Sequence, residues 1–302
     1  MIGDRMSAIG STRLSVVAFL LLLASPARAE LVPTYSSTTG ARINPLGLFE
    51  QFQLRLTKPL ASADETDPLW AGTYVRAEAT LFASPATIGP GVGITAQPIN
   101  ILRLSASYTP IYYWGTFDSL QSFQSPNADY RPSQAENRPS YSAWIHQWNI
   151  ALLLQMKVKR FVVRSETVGS YLHANLQGSD TVYYDFVWDI ATPKRGWVIQ
   201  NDSDFLWLVT DRLTVGVRNT LITAIYPDWV FLPGEDRDPD NLPTDRMGPI
   251  IAYKLSLEKT GKFREPTLFL TTQWYIASKY RTGEDVSRAI PYLLGGINFS
   301  GW

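Results

Sequence analysis

Short segments in which apolar and polar residues alternate constrain the fold of this chain more than any other feature. In one segment, Leu102, Leu104 and Ala106 share a face. Arg103 and Ser105 lie on the opposite face. A period of two predicts β-strands with one apolar and one polar side. Because such segments recur along most of the chain, the sequence predicts an all-β fold.

The first 29 residues have the features of a secretory signal peptide. Arg5 and Arg13 make the start of the chain positive, and residues 14–24 form an apolar core. The sequence Ala27-Arg28-Ala29 matches a small-x-small cleavage site. The apolar core is shorter than the roughly 20 residues that a membrane-spanning helix needs. The sequence therefore predicts an exported chain whose signal peptide is cleaved.

The composition excludes several classes of protein. The chain has no cysteine, so it has neither disulfides nor a thiolate metal site. Lys+Arg and Asp+Glu are 27 each, so no overall positive field recruits nucleic acid. Ten Trp, 15 Tyr and 13 Phe exceed what the core of a soluble β-sandwich needs, but they suit two aromatic belts at lipid–water boundaries. A transmembrane barrel is thus preferred over a secreted sandwich.

We predict an antiparallel transmembrane up-and-down β-barrel of twelve strands in residues 46–302, after a signal peptide (1–29) and an N-terminal periplasmic segment (30–45). The alternative has fourteen strands: the eighth strand is split at 201–204, where the alternation slips, and 35–43 adds another. The twelve-strand assignment places the long connection 119–142 on the same side as the termini, where barrels have short turns. The predicted strands are 46–57, 72–83, 89–97, 99–113, 143–156, 161–171, 181–190, 197–209, 213–226, 247–258, 264–277 and 288–302.

The last ten residues, 293–302, resemble the C-terminal assembly signal of Gram-negative outer-membrane β-barrel proteins, because they end in an aromatic residue. They depart from the pattern in that Leu293, Ile297 and Phe299 are out of phase with Trp302. The alternation over the whole mature chain resembles small-to-medium members of the same class. The resemblance implies the cell outer membrane as the location, with its lipid and lipopolysaccharide as surroundings. It also implies assembly by the barrel-assembly machinery through the last strand.

Charged residues on the polar faces are the candidate site residues, because the polar face of a membrane barrel lines its lumen. The lumen candidates are Arg55, Arg76, Glu78, Arg103, Arg164, Glu166, Asp185, Asp189, Arg218, Lys254 and Glu258. Six cations against five acids favour a narrow channel for passive passage of small polar or anionic solutes. A nearly equal alternative is that these charges pair and close a structural or adhesion barrel, whose long loops 119–142 and 227–246 bind a partner.

The two histidines, His146 and His173, raise a third hypothesis, a hydrolase at the barrel rim. His146 shares a phase with Trp144 and Trp148, so a place in the aromatic belt is preferred. His173 lies in a predicted loop. The chain has no G-x-S-x-G or H-E-x-x-H motif, and we predict neither enzyme activity nor a cofactor.

Asp236, Asp238 and Asp240 have the alternate spacing of a calcium loop, which can wrap a hard cation in carboxylate oxygens. Asn241 replaces the turn glycine of an EF-hand, and Met247 replaces its bidentate glutamate. A solvated acidic loop tip is the preferred interpretation, so no metal site is predicted and weak Ca²⁺ or Mg²⁺ binding is the alternative.

Overall fold

The structure, a computed structural model, describes residues 30–61, 66–131, 140–239 and 243–302. Twelve strands form one closed antiparallel barrel, which confirms the predicted fold class and strand number. The wall strands are β1 (Val32–Ile43), β2 (Gly47–Pro59), β3 (Tyr74–Ala83), β4 (Thr87–Ile99), β5 (Leu102–Tyr113), β7 (Ala143–Val158), β8 (Phe161–Ala174), β11 (Arg195–Leu208), β12 (Leu213–Ile225), β13 (Thr244–Lys254), β14 (Arg264–Ala277) and β15 (Tyr292–Gly301).

Three shorter strands form a separate sheet, which we call the inner sheet. Its strands are β6 (Gln121–Phe123), β9 (Val182–Asp185) and β10 (Ile190–Pro193), in the order β10-β9-β6. The described residues contain one 3-10 helix, Asp228–Val230. None of the described helices has the length and apolar character needed to cross a membrane.

The first and last strands close the barrel. β1 and β15 pair antiparallel from Tyr35 opposite Gly301 to Ile43 opposite Leu293. Every other wall strand pairs with the wall strands before and after it in the chain. Closure leaves no strand edge with unpaired backbone N–H and C=O groups, which is the condition for β-structure in lipid.

The number of wall strands is as predicted, but two of the assignments were wrong. β1 lies within 30–45, which we had assigned to a periplasmic segment outside the barrel. Its outward positions include Ser37 and Thr39, whose hydroxyls donate to the Glu50 carboxylate on β2, so its outer face is not apolar. The predicted strand 181–190 instead supplies β9 and β10 of the inner sheet. Residues 1–29, the predicted signal peptide, lie outside the described residues.

The predicted slip at 201–204 is not a break, because β11 is continuous through it. Asn201 and Ser203 point outward, but polar neighbours satisfy them. The Asn201 side-chain amide donates to the Ser165 hydroxyl at 2.9 Å and the Thr167 hydroxyl at 2.8 Å, both on β8. The Ser203 hydroxyl donates to the Asn201 side-chain oxygen at 2.8 Å. The alternative with fourteen strands is therefore wrong.

The two ends of the barrel carry different connections. At the end where the chain termini lie, which we call the terminal end, the connections are 60–73, 100–101, 159–160, 209–212 and 255–263. At the opposite end, which we call the loop end, they are 44–46, 84–86, 114–142, 175–194, 226–243 and 278–291. The three longest connections share the loop end. Because β1 adds a strand before the first one predicted, the long connection 114–142 now lies opposite the termini.

Most of the outside of the wall is apolar, whereas the inside carries both polar and apolar residues. On β7, Ile150 is 61% exposed, whereas the next inward-facing leucine, Leu153, is 2% exposed. Similar exposed leucine, isoleucine and valine side chains occur on the outward positions of most wall strands. An exposed apolar surface around a whole closed barrel is stable in a bilayer and not in water.

Aromatic side chains flank this apolar surface at both ends. Near the loop end, the outward rings are Trp144, Trp148, Tyr171 and Trp197. Near the terminal end, they are Tyr35, Phe161, Phe205, Phe263, Phe299 and Trp302. Two such belts are typical of the lipid–water boundaries of membrane barrels.

Trp302 is out of phase with the apolar residues of β15, and the backbone at the C-terminus explains why. Trp302 has a positive φ of 74°, so it leaves the strand alternation after Gly301. Its ring then packs against Tyr35, with ring centroids 4.9 Å apart. Tyr35 in turn contacts Phe299 on the outer face. Trp302 thus joins the outward aromatic belt although its sequence phase points inward.

A charge on the outer face should destabilise the protein far more than one on the inner face. For Ile150→Arg we expect a loss of about 2–4 kcal/mol in the free energy of unfolding, because the guanidinium would face hydrocarbon at mid-wall. The matched control is Ser107→Arg, whose side chain enters a polar interior cavity. Equilibrium unfolding in lipid vesicles measures both values. If the free energy of unfolding fell equally in both variants, the assignment of Ile150 to the lipid-facing side and Ser107 to the lumen would be contradicted.

Candidate functional site

A row of ion pairs crosses the inner wall from β5 to β12. The Arg103 guanidinium lies 2.9 Å from the Glu166 carboxylate. Arg164 lies 3.0 Å from the other oxygen of Glu166 and 3.3 Å from Asp204. Arg218 donates to both oxygens of Asp204, at 2.7 and 2.9 Å. Four of the predicted lumen residues, Arg103, Arg164, Glu166 and Arg218, are therefore brought together, joined by Asp204.

A second charged group lies on the neighbouring strands β2, β3 and β4. Arg76 donates to the Thr57 hydroxyl at 3.0 Å and lies 3.6 Å from Glu78. Glu78 accepts a bond of 3.1 Å from the Thr95 hydroxyl. Arg55, opposite Glu78 in the strand register, donates to the Gln53 side chain. These residues lie on the inward face of the wall, on the other side of the bore from Asp204.

The described interior of the barrel includes two cavities along the bore. A cavity of about 230 Å³ near the loop end, which we call the upper cavity, is lined by residues of the wall and of the inner sheet turn. A second of about 170 Å³ is lined mainly by polar residues of β2 to β7, including Gln51, Glu78, Ser107 and Asn149. The lumen is therefore polar but divided into small spaces.

The inner sheet fills much of the barrel mouth. Its residues Tyr183 and Ile190 are fully buried. They pack with inward-facing apolar residues near the loop ends of the wall strands, which are Tyr113, Ile145, Leu172, Val198, Ile222 and Ala224. An apolar layer inside a polar bore shows that described parts of the connections 114–142 and 175–194 fold into the barrel.

The turn 186–189 of the inner sheet, which we call the tip turn, contacts opposite sides of the wall. Arg42 on β1 donates to the backbone carbonyls of Phe186 at 2.5 Å and Val187 at 3.1 Å. The indole N–H of Trp188 donates to Gln200 on β11 at 3.2 Å. Trp188 lies in 181–190, the segment predicted as a wall strand, and its burial inside the barrel corrects that assignment.

A buried ion pair fixes the tip turn to the connection 278–291. Arg281 donates to the two Asp189 oxygens at 2.8 and 2.9 Å, and both side chains are less than 10% exposed. Tyr275 on β14 donates to Asp189 at 3.2 Å, and Arg281 also donates to Asn44 at 2.6 Å. Burial opposes the charge on Arg281, but the Asp189 carboxylate outweighs it and raises the pKa of the guanidinium.

Asp185 also lies in the inner sheet, so neither Asp185 nor Asp189 belongs to the wall as we had predicted. Burial raises the pKa of Asp185 despite bonds to its carboxylate from the backbone N–H groups of Val187 and Trp188. Asp189 has a positive φ of 59°, which shapes the tip turn. The alternation in 181–190 was misleading because both faces of this short sheet are buried.

The remaining candidates lie away from the mid-lumen. Lys254 pairs with Glu265 at 2.7 Å at the terminal end. Glu258 is exposed in the connection 255–263, so its assignment to the lumen was wrong. In the acidic loop, the backbone N–H of Asp238 donates to Asp236, and Asp240 lies outside the described residues. The described part of the chain contains no group of three His, Asp or Glu residues that could hold a metal ion.

The two histidines are cross-strand partners on the outer face. His146 and His173 are opposite each other in the β7–β8 register, with ring centroids 6.4 Å apart. His146 shares a hydrogen bond of 2.7 Å with the Tyr108 hydroxyl, and His173 contacts Arg195 at 3.4 Å. His173 is thus a strand residue rather than a loop residue, and both rings lie within the aromatic belt at the loop end.

Sequence reasoning missed several lumen residues for identifiable reasons. Arg42 lies on the strand that was left outside the barrel. Arg246 was assigned to the long loop 227–246 because β13 begins at Thr244, earlier than predicted. Asp202 and Asp204 lie in the apparent slip of β11. If the in–out alternation is continued through Asn201 and Ser203, these two polar residues fall on the outer face. Asp202 and Asp204 then fall on the inner face, so the sequence could have identified both.

The closed barrel, its apolar exterior with two aromatic belts and its charged lumen define the class. The protein is a transmembrane β-barrel of the outer-membrane type, and its location is the outer membrane.

Among solved structures, the chain is similar to two porins, NanC and KdgM, and to the outer membrane protein Omp33 of Acinetobacter baumannii. The identities are 9%, 7% and 10%, with TM-scores of 0.39, 0.38 and 0.36. The alignments cover 88%, 88% and 90% of this chain and 98% of each of the others. Likenesses at this level carry no argument about function. The chain matches no protein-family model and no curated protein sequence.

Asp204→Asn should destabilise the barrel by about 3 kcal/mol, because Arg164 and Arg218 would lose the carboxylate that both contact, and the Asp204 side chain is 1% exposed. The matched control is Asp228→Asn, which removes an ion pair to Arg237 between well-exposed side chains. That change should cost less than about 1 kcal/mol. Chemical unfolding of the detergent-folded protein measures both. If both variants lost less than about 1 kcal/mol in the free energy of unfolding, the row of ion pairs would contribute little to stability.

Proposed function

We propose that the protein is a narrow outer-membrane channel for the passive passage of small polar or anionic solutes. The observation that carries this proposal is the polar interior. Charged side chains on both sides of the bore surround cavities of about 230 and 170 Å³. A barrel with a purely structural role needs no such polar lining, because its core could be packed with apolar side chains.

The charge of the lumen supports a preference for anions. Apart from the Lys254–Glu265 pair at the terminal end, the inward-facing acids of the wall strands are Glu78, Glu166, Asp202 and Asp204. The inner sheet and its turn add Asp185 and the Asp189–Arg281 pair. The inward-facing arginines are Arg42, Arg55, Arg76, Arg103, Arg164, Arg218 and Arg246. A bore lined by excess positive charge concentrates anions and repels cations.

The packing at the loop end also favours a second candidate, a non-conducting structural or adhesion barrel. Phe123, Tyr130, Val182, Val230 and Tyr280 form an apolar cluster that joins the four longest connections of the loop end. Such a cap offers a rigid surface to an external partner. In the channel interpretation, the same cap and the inner sheet keep the resting bore narrow.

A hydrolase at the rim receives the least support. Within the described ranges, the hydrogen-bond partners of the two histidine rings are Tyr108 and Arg195. A general base needs an orienting acceptor and a nearby nucleophile, and these partners supply neither arrangement. We therefore propose a role without catalysis.

Reconstitution in planar lipid bilayers tests the channel. We expect small single-channel steps and, in a KCl gradient, a reversal potential that indicates chloride preference, because the lumen is positively charged. A heat-denatured sample is the control for adventitious leaks. Correctly folded protein that gives no steps would remove the channel and leave the non-conducting barrel.

Breaking the buried ion pair at the tip turn should open the channel. In Arg281→Gln the tip turn loses its bidentate partner, so we expect larger or more frequent openings than in the unaltered protein. The matched control is Arg288→Gln in the same connection, where the exposed guanidinium donates to the Thr282 carbonyl. The same single-channel recordings compare the variants. Identical conductance and open probability in Arg281→Gln would contradict a gating role for the inner sheet.

A further inference from the structure

Arg42 and Arg246 line the upper cavity without a carboxylate partner. Both are buried, at 8% and 6% exposure. Arg42 donates to two backbone carbonyls, and Arg246 donates to the Gln273 side chain at 3.2 Å. Over the described ranges of the chain, neither guanidinium has an acid within ion-pair distance. Buried charges are normally paired, and although the buried Asp185 carboxylate acts on Arg42 electrostatically, it forms no ion pair with it. Two buried arginines that face one cavity without an ion pair therefore indicate a binding site for an anion.

The other buried arginines of the same region show the contrast. Arg218 is neutralised by Asp204, and Arg281 by Asp189. The upper cavity has one acid in its lining, Asp202, which accepts bonds from Thr220 at 2.6 Å and Gln200 at 2.9 Å. Asp202 is on β11, two strands away from Arg246 on β13. With Arg218 paired, the lining of the cavity retains two cations and one acid, and the Asp185 carboxylate lies outside this lining. The lining itself therefore has a net positive charge.

Local structure holds both guanidinium groups at the cavity wall. Gly47 lies opposite Arg42 in the β1–β2 register, and a Cβ atom there would approach the Arg42 Nε to 2.7 Å. Because glycine has no side chain, the Arg42 side chain can lie against the backbone at position 47. The Arg246 guanidinium lies over the Tyr292 ring, 4.1 Å from its centroid. This contact fixes its plane without removing its charge.

The same cavity has an apolar side. Phe49 on β2 and Phe82 on β3 line it and stack with their ring centroids 6.3 Å apart. Phe186 of the tip turn also lines the cavity. Aromatic rings next to arginines suit a molecule that has a charged group at one end and an apolar ring at the other. A fully hydrated inorganic ion would leave this aromatic wall without a contact.

We propose that the upper cavity is a binding site for a small carboxylate that carries an apolar ring. The carboxylate binds between Arg42 and Arg246, and the ring packs against Phe49 and Phe82. A cavity of about 230 Å³ limits the ligand to one ring with short substituents. This inference rests on the proposed function in one respect, because the solute reaches the cavity through the proposed channel. The bound state itself requires only the folded barrel.

Calorimetric titration of the detergent-folded protein with sodium benzoate tests the site. Benzyl alcohol keeps the ring without the charge, and acetate keeps the charge without the ring. We expect benzoate to bind and both analogues to bind at least tenfold more weakly. Arg246→Gln should weaken benzoate binding about 10- to 100-fold, because it removes a charge-assisted hydrogen-bond donor. Arg246→Lys should recover part of the loss, since it restores the charge but not the planar fork.

The matched control is Arg76→Gln, a lumen arginine that does not line the upper cavity. It should leave benzoate affinity unchanged. Circular dichroism and the gel shift on heating verify that each variant is folded. The site is refuted if benzoate does not bind, or if Arg246→Gln and Arg76→Gln bind it equally well. Conductance recorded on the same samples separates the two proposals, because conductance without benzoate binding removes only the site. Binding without conductance removes only the channel.

Discussion

The closure between β1 and β15 is the interaction on which the rest of the structure depends. In hydrocarbon, each unpaired backbone N–H or C=O group costs several kcal/mol, so a sheet can cross a bilayer only when its two edges meet. The pairing from Tyr35 opposite Gly301 to Ile43 opposite Leu293 satisfies that condition. It also places the termini at one end and the three longest connections at the other, from which the inner sheet folds into the bore.

Inside the closed wall, two kinds of packing compete for the same space. The polar residues of the middle bore pair into rows such as Arg103–Glu166 and Arg164–Asp204. Near the loop end, apolar residues pack against the inner sheet and exclude water. The Asp189–Arg281 pair lies at the boundary between these regions and connects the tip turn to an outer loop.

The fold was largely predictable from sequence because lipid surrounds the wall and polar groups line its inside. Residues along each wall strand must therefore alternate between apolar and polar. The prediction failed where that contrast is weak. β1 has hydroxyl residues on its outer face, and 181–190 is buried on both faces, so period two did not distinguish wall from insertion. Four residues of the ion-pair row were predicted, but Arg42 and Arg246 were not. Their proximity arises from strand register and from the inward fold of a loop, which local patterns do not encode.

The account depends on the charged face of the wall being its inside. Because the chain has no cysteine, single cysteines can be introduced and spin-labelled along β7, from position 147 to 155. Collision rates with oxygen, which concentrates in lipid, and with a water-soluble nickel complex then report the surroundings of each label. We predict that labels at 148, 150, 152 and 154 collide mainly with oxygen and that labels at 147, 149 and 151 are shielded from it. An absent or inverted alternation would contradict the proposed barrel in the membrane.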